Sequence, residues 1–178
     1  MQYKKLTALY EETLQEMFLA RVEAKAVQAE EEAFQSLRRY HVNSLVPQGD
    51  AIATENLSST SLFIIITDSF NCSNGLETGI EILNNIAGSP NATVQGFHMD
   101  EGVTEFTSMY GIGFPVRKKP SWDHLPGLAS VGTVTPLVLV YDVASGFLIG
   151  IHHPIPDDAL KSRLFYKRWA YRGLYNEV

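Results

Sequence analysis

The chain holds one cysteine, Cys72, placed within "ITDSFNCSNGLETGIEIL" directly after the apolar run "SLFIII". It stands where a segment that reads as a buried strand gives way to one that reads as a helix. A thiolate there is favoured by the unpaired backbone N–H groups and positive dipole end of the helix. Asn71, Cys72, Ser73, Asn74 and Gly75 therefore form a candidate active-site turn, with Cys72 as its nucleophile. The sequence has no lysine, arginine or histidine within ten residues of it, so the helix end must supply most of the activation. Gly75 stands where a Cys-x-x-Cys pair would carry its second thiol. After attacking a disulfide, a single thiol stays in a mixed disulfide until an outside thiol releases it. A peroxide would take it to sulfenic acid, again needing an outside reductant. The competing reading is packing alone, because a lone cysteine after a buried strand often serves as a small hydrophobe. One cysteine also excludes an internal disulfide, and any zinc or iron–sulfur site built from cysteines of one chain.

Other chemistry-bearing residues are weaker candidates. Thr135-Pro136 opens the apolar run "PLVLVYD". His152 and His153 are consecutive in a strand and point to opposite sides, with His98 and His124 elsewhere, so no metal site is expected. No cofactor is expected either: "GLETG" and "GIGF" read as turn and packing glycines, and no phosphate-binding order follows a first strand. Asp100 and Glu101 read as loop or helix-cap residues. Three Asn-x-Ser/Thr patterns matter only in a eukaryotic secretory setting.

The chain has 178 residues, 45% of them apolar and 19% charged, with a net charge of −6. That is an ordinary globular composition with material for a real core. No overall basic field exists, so nucleic acid is not an expected partner. No apolar stretch approaches the roughly 20 residues of a membrane span, and the first residues lack a signal-peptide core. A membrane anchor or signal removed ahead of residue 1 stays compatible with this.

Residues 3 to about 42 read as one long helix. Leu6, Leu9, Tyr10, Leu14, Met17, Phe18 and Val22 recur at helical spacing, and the stripe then weakens to Ala26, Ala29 and Ala33, with Phe34 and Leu37. Such a helix is about 60 Å long, too long for one side of a domain of about 130 residues. Its large residues are expected to be buried, in a homodimer or by folding back. The "PQGD" stretch suggests a small hairpin. "SLFIIIT" reads as a buried strand, and "NGLETGIEILNNIAG" as a helix with Leu76, Ile80, Leu83 and Ile86 inward. A second strand in "ATVQGFHMD" comes next, then a short helix with Val103, Phe106, Met109 and Tyr110 inward and Gly111 as its stop. After a Pro- and Gly-rich loop come two strands around the turn "ASG". In the last helix Asp157 and Asp158 suit the first turn, and its basic and aromatic residues read as an amphipathic helix on the sheet, or as a surface for an anionic partner. The β–α–β start predicts parallel neighbours and the closing pair an antiparallel edge: a mixed sheet with helices on both faces.

Four stretches carry a resemblance. "VPQGDAIATENLSS", "SLFIIITDSFNCSNG", "FTSMYGIGFPV" and "VGTVTPLVLVYDVASGFLIG" together resemble the TlpA/ResA-type thiol-disulfide oxidoreductases of the redoxin branch, over roughly residues 43 to 160. The separation of Cys72 from Pro136 suits the branch with an inserted segment. The resemblance implies an α/β fold: a thioredoxin-like three-layer α/β/α domain over 43–178 with a mixed central sheet, preceded by the amphipathic helix of residues 1–42. By it Cys72 falls on the attacking cysteine and Gly75 on the lost resolving one. Pro136 falls on the cis-proline beside the active-site turn, and Thr135 precedes it in the substrate groove. Family-type partners would be protein or peptide thiols and disulfides, in an extracytoplasmic setting. The departures are Asn71 for the family's Trp, the missing resolving cysteine, and the absence of an acidic residue from "SLFIIIT". With these departures the resemblance implies a monothiol redox protein or a degenerate oxidoreductase. The alternative is a non-catalytic module that docks a peptide beside Pro136. A one-cysteine peroxidase fits less well, because no arginine stands near Cys72 to polarise a peroxide.

Overall fold

The computed structural model describes residues 2–45, 60–68, 74–123, 125, 135–154 and 159–170. In chain order these form helix α1 (Gln2–Leu37), a 3-10 turn (Val42–Leu45), strand β1 (Ser61–Thr67), helix α2 (Asn74–Ala87), strand β2 (Ala92–His98), helix α3 (Val103–Met109), strands β3 (Val116–Lys118), β4 (Leu137–Asp142) and β5 (Leu148–His152), and helix α4 (Ala159–Ala170).

The five strands lie in the order β3-β2-β1-β4-β5. β1 is central and buried along its whole length, as a strand covered on both faces must be. It pairs parallel with β2 and antiparallel with β4, and β4 pairs antiparallel with β5. The expected mixed sheet is thus formed. β3 was not anticipated: only three residues long and polar in part, it pairs parallel with the end of β2 and shows no apolar period.

Strand alternation sends the two faces of the sheet into two cores. Leu62, Ile64 and Ile66 of β1 pack with Ala33 and Leu37 of α1, Val42, Leu45 and Trp122. Trp122 also donates its indole N–H to the Leu45 carbonyl, at 2.8 Å. Phe63 and Ile65 pack on the other face with Leu76, Ile80, Leu83 and Ile86 of α2, Phe106 of α3, and Tyr166 and Ala170 of α4. The layers are therefore helix, sheet, helix.

Three local expectations need correction. The first helix ends at Leu37, not near residue 42. Val42 donates its backbone N–H to the Gly146 carbonyl at 2.8 Å, so the turn between β4 and β5 draws the chain away from helical geometry. Met109 is 73% exposed rather than inward; α3 turns only Phe106 fully into the core. Of the two ways of burying the large residues of α1, folding back is not seen at the described side chains: Tyr10, Leu14, Met17 and Phe18 are all exposed. The suggested hairpin near "PQGD" and the pair Asp157–Asp158 lie outside the described residues.

The cis-proline end of the sheet

β1 and β2 run parallel with Thr67 opposite His98, so both strands finish at the same edge of the domain. β4 starts at that edge, with Leu137 opposite Ile66. The peptide bond just before it, Thr135–Pro136, is cis. The chain leaves β1 at Asp68 and re-enters described structure at Asn74, the first residue of α2. Asn71, Cys72 and Ser73 fall between the two and lie outside the described residues, as does the side chain of Asn74.

Thr135 is buried and donates its hydroxyl to the Asp68 carboxylate at 2.5 Å. This bond ties the end of β1 to the residue before the cis-proline. His98 is fully buried. Its Nδ1 lies 3.1 Å from the Thr67 hydroxyl, its Nε2 4.0 Å from Asp100, and its ring stacks on Phe106 with centroids 4.3 Å apart. Burial holds the His98 imidazole below its ordinary pKa, while Asp100 and Asp68 pull the other way. The side chain is therefore a neutral imidazole at pH 7.

A second cluster reaches the same loop from the far edge strand. The His153 ring donates from Nδ1 to the Pro136 carbonyl at 2.8 Å, and its backbone N–H donates to the Glu30 carboxylate at 2.5 Å. The same carboxylate lies 3.3 Å from Nδ1 of His152. Nε2 of His152 faces the Ser162 hydroxyl at 2.9 Å. Burial pushes the Glu30 carboxyl up, but His152, the His153 N–H and Lys161 outweigh it, and the net shift is downward. Burial also lowers His153, against the Pro136 carbonyl and Glu30. The cluster has the order of a serine–histidine–carboxylate triad, yet Ser162 is buried on α4. Its effect is to lock α1, β5 and α4 together and to hold the Pro136 carbonyl.

The two adjacent histidines do turn to different partners, as strand alternation requires. Among the described residues no three histidine, cysteine, aspartate or glutamate side chains converge as a metal site. Sequence reading singled out Thr135 and Pro136, and weighed His98, His152 and His153 only as metal ligands, not as groups that hold this end of the sheet. His98 was legible in principle, since parallel pairing of the first two central strands brings their ends together. Glu30 carried no signal, being one acid among several on a long charged helix.

No family model matches the chain, and no curated protein matches it. Solved structures do. One is the solution structure of a thioredoxin-like protein in the oxidised form, 18% identical, covering 74% of this chain and 95% of that one, with a TM-score of 0.51. The fold is thioredoxin-like. A thiol-disulfide isomerase from Corynebacterium glutamicum matches at 17% identity over 68% of this chain and 88% of its own, TM-score 0.49. A secreted disulfide oxidoreductase from Mycobacterium tuberculosis matches at 16% identity over 65% and 84%, TM-score 0.46. Within this thioredoxin-like frame Thr135, just before the proline that precedes β4, and Asp68, just after β1, are neighbours, joined by a hydrogen bond.

Proposed function

We propose that the chain is an extracytoplasmic, TlpA-type thiol protein that works through the single thiol of Cys72. Its partners are protein or peptide thiols and disulfides. The observation that carries this reading is the Thr135–Asp68 hydrogen bond, which ties the residue before β4's preceding proline to the residue that leads into the Cys72 segment. In the reaction the Cys72 thiolate attacks one sulfur of a disulfide. A new S–S bond forms, the old one breaks, and the departing thiolate takes up a proton from water. A second thiolate from outside then attacks the mixed disulfide and regenerates Cys72. Gly75 cannot perform that second step, so no internal disulfide accumulates.

The test uses glutathione disulfide. The reduced chain is expected to gain one glutathionyl group and release one glutathione, and to lose the adduct on adding excess glutathione; Cys72→Ser gives no adduct. A wild-type chain that stays unmodified overturns the reading. A second reading rests on the fact that Thr135 is held by Asp68 and the Pro136 carbonyl by His153. A docking module of this kind would bind an extended peptide equally well in the wild type and in Cys72→Ser.

A further inference from the structure

We propose that the projecting part of α1 is one strand of a parallel, two-stranded coiled coil, and that its partner is a second copy of this chain. Every described side chain from Tyr10 through Gln28 is exposed, including Tyr10, Leu14, Met17, Phe18 and Val27. Among the described side chains of the helix, the first to meet the domain are Glu30, Ala33 and Leu37. Most helical stability in proteins comes from tertiary packing of one face, and the described side chains over this length show no buried face.

The exposed residues repeat in sevens. Tyr10, Met17 and Ala24 occupy one core position of the heptad, and Thr13, Ala20 and Val27 the other; Tyr3 and Leu6 continue both series in the sequence. This is the three-and-four alternation of a coiled-coil seam. By helical geometry the seam lies roughly 135° around α1 from the docked face at Glu30, Ala33 and Leu37. A second helix can therefore approach without meeting the domain.

Charge selects both the occupant and its direction. In a parallel pair, the position before one core layer faces the position five residues later on the partner helix. Glu16 then faces Arg21 of the other copy, twice by symmetry. In the sequence the equivalent pairs are positions 23 with 28, acid with amide, and 9 with 14, leucine with leucine. No like charges meet. An antiparallel pair would bring the glutamates at positions 16 and 23 together across the seam. Glu16 and Arg21 are both exposed and in place for the parallel arrangement. The two domains then hang from the same end of the coil, side by side.

Three variants and sedimentation equilibrium decide the matter. The full chain is expected to be dimeric at micromolar concentration. Arg21→Glu sets glutamate against glutamate at both bridges and should weaken the dimer about tenfold, a change of 1.4 kcal/mol. Adding Glu16→Arg to it should restore the wild-type constant. Orientation is read with Ala20→Cys in a Cys72→Ser background: in-register parallel helices place the two thiols opposite each other, so oxidation should link the chains. A monomer at all concentrations overturns the proposal. So does a dimer indifferent to Arg21→Glu, or one in which Ala20→Cys fails to cross-link.

Discussion

One buried and one half-buried histidine set an acid limit on this fold. His98 meets Thr67 and Asp68 from the end of β1, Asp100 from the loop after β2, and Phe106 from α3; His153 meets Pro136, Glu30, His152 and Lys161. Both have folded-state pKa values below the ordinary value. In the unfolded chain a histidine titrates near 6.5, so below about pH 6.5 the unfolded state binds more protons than the folded one. Stability is expected to be level above that pH and to fall as the pH drops through it. Urea unfolding between pH 5 and 8 should show this loss, and His98→Gln should reduce its slope. An unchanged slope would assign the effect elsewhere. Glu30, with a lowered pKa, adds stability that is present above about pH 4.5 and lost at lower pH. Removing its carboxylate leaves the His153 N–H and the His152 ring without their acceptor. Glu30→Ala should cost about 1–3 kcal/mol, and Glu30→Gln, which keeps an acceptor, less. Equal losses for the two would show that hydrogen bonding is not what Glu30 supplies.

At the scale of elements, the turn between β4 and β5 holds the C-terminal end of α1 in place. Gly146 sits at φ +70°, and a Cβ there would collide with the His41 ring. Gly111, after α3, sits at φ +58° with open space around it. Gly111→Ala should therefore cost only the left-handed strain, about 1–2 kcal/mol, and Gly146→Ala about 1–3 kcal/mol more from overpacking. Comparing urea midpoints of the two separates strain from collision. A further prediction concerns the start of α2. That helix begins at Asn74, so Gly75 lies in its first turn. Gly75→Cys should form an internal disulfide with Cys72 on mild oxidation, seen as loss of both free thiols in the monomer. Persistence of two thiols would contradict a family-like turn.

The same elements show what sequence can and cannot reveal. β1, α2, β2 and the β4–β5 pair were legible because burial imposes a period that the residues carry: Leu76, Ile80, Leu83 and Ile86 are all buried as their spacing demands. The cis bond at Pro136 was legible through resemblance alone. The end of α1 was not, because a tertiary hydrogen bond from Val42 to the β4–β5 turn decides it. β3 was too short and too polar to leave a pattern. The side chains holding the cis-proline loop come from α1, β1 and the end of β5, far apart in sequence, and only the sheet register brings them together.

For the whole molecule, the fold accounts for a thioredoxin-like domain whose cis-proline loop is fixed from both sides, with a long helix leaving it. The central claim is that Cys72 is a reactive thiol at the head of α2 and not a packed hydrophobe. The most direct measurement is the rate of alkylation of Cys72 by iodoacetamide as a function of pH, with Cys72→Ser as the blank. A helix end that stabilises the thiolate predicts a midpoint below the ordinary value of about 8.5, and a rate at neutral pH above that of a free thiol. A midpoint at or above that value, with slow alkylation in the native chain and normal alkylation in urea, would contradict the account and leave Cys72 as part of the scaffold.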